Sequence, residues 1–185
     1  IAGLLVLGTV PVFMVGFGLH YFGIDSIRSL NVIAWSTIFF GIILWITDKV
    51  GMTLRRVEHL GISDALIIGL AQVLALIPGA SRSGVTMSAA RLLGMERSDA
   101  ARFSMLLSIP TIIGAGALVG LDLQQIGNVE LTGDAFLAAG LSFIVALMTI
   151  FLFMAWLKRS TFGPFVAYRI ILGVGLLGLY YGYIG

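Results

Sequence analysis

The chain has no cysteine and only two histidines, His20 and His59, far apart in sequence. That excludes disulfides, thiolate metal sites and cysteine nucleophiles, and the histidines show no metal-ligand spacing. Charge is scarce too. Only 11% of residues are charged, against about 25% in a soluble domain. Aspartate and glutamate are confined to polar segments, so none is expected at membrane depth. A serine nucleophile needs a positioned base and a metal route needs carboxylates, and the apolar segments supply neither. What is present is apolar: 59% hydrophobic residues and a mean hydropathy of +1.07. The bilayer is the solvent, and the placement of charges matters more than their net value of +2.

Ile1 to Leu19 carries no charge and is long enough to cross a hydrocarbon core, which takes about 20 helical residues. It lacks a basic n-region, so it reads as a span in a chain cut upstream rather than as a signal peptide. A polar connection, His20 to Ser29, contains Asp25 and Arg28. Leu30 to Thr47 is the second span, with Trp35 and Trp45 as interfacial anchors. Asp48 to Asp64 is basic, with Lys49, Arg55 and Arg56, and is expected in the cytoplasm, with a surface helix around Met52 to Leu60 and a solvated His59. Phe103 to Leu121, Ala135 to Leu157 and Pro164 to about Ile184 are the remaining spans. The acidic segment Asp122 to Asp134 is expected outside and Lys158-Arg159 inside. Arg169, near the inner end of the last span, is expected to snorkel. Gly114, Gly116 and Gly120 read as helix-packing residues.

Between the second and third spans lies Ile77-Pro78-Gly79-Ala80-Ser81-Arg82-Ser83-Gly84-Val85-Thr86. No charged residue occurs from Ala65 to Ser81 or from Ser83 to Ala90, so Arg82 stands alone in an apolar run. An arginine at membrane depth costs roughly 2.5–3.5 kcal/mol on insertion scales and faces a polar cavity with a partner. Ala65 to Ile77 would extend only about 20 Å as a helix, against a core of about 30 Å. Both flanks are basic: Arg55 and Arg56 before, Arg91, Arg97 and Arg102 after. A re-entrant hairpin with arms Ala65–Ile77 and Ser83–Leu93 returns both flanks to the cytoplasm and puts Arg82 near mid-membrane. Two short complete spans joined by an outer loop are the alternative. The expected fold is thus all-α and polytopic, about five transmembrane helices plus one re-entrant helical hairpin, with residues 1–185 as a single transmembrane domain.

The tip is suited to an anion. Gly79 and Gly84 permit tight turns and close approach. A helix beginning near Ser83 offers free N–H groups and its positive dipole end. Arg82 adds a planar fork for phosphate oxygens, and Ser81, Ser83 and Thr86 add hydroxyl donors. The apolar surroundings point to a lipid-like carrier. From the residues alone this is a phosphate binder, and a phosphatase only with a partner supplying acid and base.

The run Leu74 to Thr86 closely resembles the P-G-x-S-R-S-G-x-T signature of the undecaprenyl-diphosphatase family, the bacterial membrane phosphatases associated with bacitracin resistance. The likeness continues through Phe103 to Pro110 and Phe165 to Arg169, so it covers essentially the whole chain. The resemblance implies hydrolysis of the C55 prenyl diphosphate to the monophosphate, recycling the carrier lipid for peptidoglycan synthesis. It implies a bacterial plasma membrane location and two re-entrant hairpins in inverted repeat, meeting at a site open to the outer face. Carried over, Arg82 would bind the diphosphate, with Ser81, Ser83 and Thr86 lining the site beside Gly79 and Gly84. Gln72 matches a glutamine on the family's first arm. The family's other motif, two glutamates four apart followed by a serine-threonine-glycine-histidine run, has no match here. It supplies the acid/base groups and the histidine, and its carboxylates are where a divalent cation, Mg or Ca, would bind; no cofactor is expected on this chain itself. Expected partners are the membrane, the polyprenyl diphosphate and a second copy of the chain, with no nucleic acid. A transporter or flippase for a phosphorylated lipid, built on a similar broken-helix site, and an inactive fragment are the alternatives.

Overall fold

A computed structural model describes residues 1–22, 29–51, 54–126, 129–157 and 159–184. Seven α-helices follow one another: α1 (Ala2–Phe22), α2 (Leu30–Val50), α3 (Ile62–Val73), α4 (Arg82–Leu92), α5 (Arg97–Ile126), α6 (Val129–Leu157) and α7 (Gly163–Ile184). No strand occurs among the described residues, only an isolated bridge between Arg55 and Met95. Five helices, α1, α2, α5, α6 and α7, are long and apolar enough to cross a membrane. The chain is a multi-pass membrane protein of the expected fold class.

The outward-facing surfaces are greasy: Phe136 is 76% exposed, Phe151 73% and Met14 72%. In water such surface would drive aggregation, and in a bilayer it is the solvated face. Helices that gain little from burying apolar surface associate instead through close packing of small residues. Two crossings do this. A Cβ on Gly69 of α3 would lie 2.2 Å from the Gly8 carbonyl oxygen of α1, and one on Gly173 of α7 would lie 2.4 Å from Ile38 of α2. The expected packing run on α5 is only partly used. Gly114 meets Phe13 of α1, whereas Gly116 and Gly120 have open space where a side chain would be.

α3 and α4 form the hairpin. α3 ends in a 3-10 turn, Leu74–Leu76, before Pro78, whose ring cannot continue a helix. The outer ends of both arms are stitched together. The amides of Leu54 and Arg55 donate to Gly94 O, and the Glu96 amide donates to Arg55 O. Arg55 also grips Asp64, at the start of α3, with Nη2–Oδ2 2.6 Å and Nη1–Oδ1 3.1 Å, and donates to Leu93 O at 3.3 Å. Entry and exit of the hairpin are therefore on the same side, which rules out a single broken spanning helix. At the tip, Thr37 of α2 touches Gly79. Thr37 and Asp48 are separated by about 16 Å along α2 at 1.5 Å per residue, near half of a 30 Å core. The tip sits at mid-depth, so neither arm is a complete span.

The segment before α3 holds a 3-10 turn, Val57–His59, rather than a surface helix over 52–60; residues 52 and 53 lie outside the described residues. His59 is exposed, and its Nδ1 accepts from the Arg56 amide at 3.2 Å. The connection with Asp25 and Arg28, and Lys158, lie outside the described residues, as do the side chains of His20, Asp122, Glu130 and Asp134. Backbone helix occupies 122–126 and 129–134, so α5 and α6 run on into the expected acidic loop.

The Arg55–Asp64 pair sets a pH response. The Arg55 hydrogen bonds, with a further one from the Gly61 amide at 2.9 Å, hold the Asp64 carboxyl below its ordinary value of about 3.9. A carboxyl with a lowered folded pKa stabilises fully above the unfolded value and loses that contribution as pH falls through the folded one. The pair is partly solvated, so its worth is about 1 kcal/mol. Asp64→Asn should melt below the parent protein at neutral pH, and the gap should close as pH drops below about 4. A gap that stays constant down to pH 3 would contradict the assignment.

Candidate anion site at the hairpin tip

Irregular backbone is tolerated at membrane depth only where its polar groups are satisfied or line a wet cavity. The tip meets this with side chains from two other helices. Ser36 Oγ of α2 donates to Pro78 O, and Thr37 Oγ1 donates to Gly79 O at 3.3 Å. Arg169 of α7 donates from Nη2 to Gly79 O at 2.8 Å and to Ala80 O at 2.9 Å, while Nε and Nη2 reach Thr37 O at 3.2 Å. Three successive tip carbonyls are taken. Arg169 is thus buried and does not snorkel: its hydrogen-bonding partners lie inward, where a solvated head group would leave the tip carbonyls bare.

Two backbone positions define the turn. Gly79 has φ +89°, in the left-handed region, and a Cβ there would lie 2.3 Å from Ser36 Oγ and 2.4 Å from Ile33 O. Ser81 has φ +65°, a conformation that costs a non-glycine residue about 1–3 kcal/mol and concentrates at functional sites. From that position Ser81 caps α4, its Oγ accepting from the Gly84 amide at 3.3 Å. Gly79→Ala should lower stability by about 2–3 kcal/mol, combining left-handed strain with overpacking. Thermal unfolding in detergent reads this, with Gly116→Ala as the unstrained comparison. Equal melting of the two would refute the close fit.

A cavity of about 940 Å³ opens at the tip between α2, α4, α5, α6 and α7. Its polar end is made of Thr37, Gly79, Ser81, Ser83, Gly84 and Arg169. The rest is mostly apolar, including Leu44, Met87, Phe153, Trp156, Phe165 and Leu172, with Thr149 and Tyr168 also on the wall. Phe165 packs edge-to-face on Phe153 and Trp156, with ring centroids 5.1 and 5.4 Å apart. Among the described residues, no carboxylate or imidazole is on the wall.

The expected site residues divide by helix face. Gly79, Ser81, Ser83 and Gly84 come together on the cavity, with the Ser81 and Ser83 hydroxyl oxygens 3.5 Å apart. Arg82 turns the other way, toward α5, and donates from Nη1 to Ser108 O at 3.2 Å. Gln72 lies on that α5 side as well. It is fully buried, with Nε2 donating to Thr111 Oγ1 at 2.9 Å and Oε1 without a hydrogen-bond partner among the described residues. Thr86 does not reach the cavity. It is 1% exposed and its Oγ1 is engaged with Arg82 O at 2.9 Å and with Ser104 Oγ at 2.6 Å. One turn of α4 separates it from the helix terminus, so its hydroxyl serves helix packing.

Neither Arg82 nor Arg169 forms an ion pair among the described residues. Carbonyl oxygens take part of their N–H groups but leave both charges uncompensated in apolar surroundings, an arrangement that favours a bound anion. Sequence reading missed Ser36, Thr37 and Arg169. The hydroxyl pair in an otherwise apolar span and the single charge within α7 were the available signals.

A mid-depth re-entrant hairpin, capped by hydroxyls and flanked by two unpaired arginines above an apolar cavity, defines a polytopic membrane protein with an intramembrane anion site. The family profile described as "Bacitracin resistance protein BacA" matches residues 1–175, and the chain belongs to that family. Among its relatives, Undecaprenyl-diphosphatase 1 of Rhodospirillum rubrum is 52% identical over 182 residues, 98% of this chain and 64% of that protein. Undecaprenyl-diphosphatase of Ruegeria pomeroyi is 43% identical over 96% of this chain and 67% of its own length. That of Alteromonas mediterranea is 44% identical over 96% and 66%. The chain thus spans about two thirds of the length of these curated relatives.

Proposed function

We propose that this chain acts in the hydrolysis of undecaprenyl diphosphate to undecaprenyl phosphate and inorganic phosphate. The observation that carries the reading is the junction at the tip, where hydroxyls, a helix N-terminus and uncompensated guanidinium charge meet the end of an apolar cavity. That pairing suits a strongly anionic group on a long apolar chain. The names of the relatives support the same substrate. Cleaving the P–O–P anhydride with water moves negative charge onto the departing phosphoryl oxygen. Donors already fixed in a dry site stabilise that charge without reorganising.

Acid-base work falls to other groups, since the cavity wall has no titratable carboxyl or imidazole. As the resemblance implies, the glutamate pair and histidine of the family's other motif would supply it, and this chain contains no such motif. A divalent cation, Mg or Ca, finds no fit among the described residues, which include no group of three or more potential ligands. Any cation site would lie with those same carboxylates. The reading also places residues 1–185 in one transmembrane domain of the bacterial plasma membrane, with the site open to the outer face, and allows a homodimer.

The test is phosphate release from undecaprenyl diphosphate by the complete natural polypeptide carrying this sequence, purified in detergent. One inorganic phosphate and one undecaprenyl phosphate per substrate are expected. Substrate recovered intact, or moved across liposomes without phosphate release, would reject the reading.

A further inference from the structure

Arg169 does more than hold the tip. Only 8% of it is exposed, it has no ion-pair partner among the described residues, and it lines the cavity. Its Nε and Nη2 are committed to carbonyls of Thr37, Gly79 and Ala80. Nη1 makes none of these bonds. It lies 3.2 Å from where a Cβ on Gly84 would be, against the first turn of α4, a position that Ser81 Oγ also approaches to 3.3 Å, and Ser83 lines the same cavity. A glycine at 84 is what lets a cation come this close to the helix N-terminus. Two like partial charges, the helix dipole and the guanidinium, are thereby brought together with no counterion, which is unfavourable until an anion lies between them.

We infer that Arg169 is a second anion-binding arginine, and that its Nη1 takes the phosphoryl group attached to the apolar chain. This rests on the lipid diphosphate reading. The assignment follows from the two faces of the tip. Arg169 stands where the apolar cavity begins, so the phosphoryl it meets is the one joined to the chain. Arg82, directed to the α5 side at Ser108, is left to the distal phosphoryl. The same contact would retain the monophosphate product, so Arg169 sets product affinity as well as substrate affinity.

The experiment compares binding of farnesyl monophosphate and of farnesol, its uncharged counterpart, to the complete polypeptide in detergent. Trp156 on the cavity wall supplies the fluorescence signal. Removing a charge-assisted contact should weaken monophosphate binding by about 10- to 100-fold in Arg169→Gln while farnesol binding is unchanged. Gly84→Ala, which crowds Nη1 and Ser81 Oγ while removing none of the donors to the tip carbonyls, should lower monophosphate-over-farnesol selectivity in the same direction by a smaller factor. Arg82→Gln should leave monophosphate affinity nearly unchanged. A purely structural Arg169 would lose both ligands together, and that result, or undiminished selectivity in Arg169→Gln, overturns the inference. Should Arg169→Gln fail to fold, selectivity in Gly84→Ala decides it. Binding needs no turnover, so a protein that binds selectively through Arg169 but releases no phosphate would reject the hydrolase reading alone.

Discussion

Arg82→Ala should lower phosphate release from the polyprenyl diphosphate by about 10²–10³-fold, the loss seen when one preorganised donor to developing charge is removed. The fold should hardly register the change. In the structure Arg82 contributes one hydrogen bond, Nη1 to Ser108 O, to the packing of α4 on α5, worth about 1 kcal/mol net. Its charge is uncompensated by any carboxylate among the described residues, so removing it relieves a burial cost at the same time. Arg82→Lys should fall between the two, keeping the charge and losing the planar fork. Turnover and melting temperature measured on the same preparations separate the effects. Unchanged turnover in the alanine variant would remove Arg82 from the reaction.

Asp48→Ala should instead act on folding, at a cost of about 3–5 kcal/mol. Asp48 lies in the last turn of α2 and is buried, with its Oδ1 2.6 Å from Arg97 Nε and 3.7 Å from Arg91 Nε. Arg91, on the last turn of α4, is 1% exposed and donates from Nη2 to Gly51 O at 2.6 Å and to Asp48 O at 3.2 Å. One carboxylate thus neutralises two guanidiniums and fixes α2, α4 and the start of α5 to each other. Alanine leaves Arg91 without it in a site closed to water and Arg97 without it at a partly exposed edge, whereas asparagine keeps a hydrogen-bond acceptor and should cost less. Thermal unfolding in detergent tests this, and an alanine variant melting with the parent would show that the carboxylate is dispensable.

Period and charge made the architecture legible before any coordinates. Leu30 to Thr47 was expected and Leu30–Val50 is observed, and the arm expected at Ala65 to Ile77 is α3 plus its closing turn, Ile62 to Leu76. Those features depend on local composition and on which side each charge falls. What stayed hidden depends on rotation about helix axes. Arg169 is 132 residues from Thr37, and nothing in its neighbours says that it faces inward rather than toward the head groups. Thr86 and Ser83 are three residues apart in one motif, yet one packs against Ser104 and the other opens on the cavity. Asp48 reads as the first residue of a solvated loop because its two arginines lie more than 40 positions on.

The grip of Arg169 on the tip bears on how the protein is made. Gly79 and Ala80 leave the ribosome about 90 residues before the arginine that takes their carbonyls. At translation rates of 5–20 residues per second the delay is on the order of ten seconds. Through that interval α2 alone can hold the tip carbonyls, through Ser36 and Thr37. The loop therefore reaches its final seat only when the last helix has entered the bilayer. Maturation of the site is a late event in biogenesis, and a nascent chain released before α7 carries a tip whose Ala80 carbonyl lacks its donor.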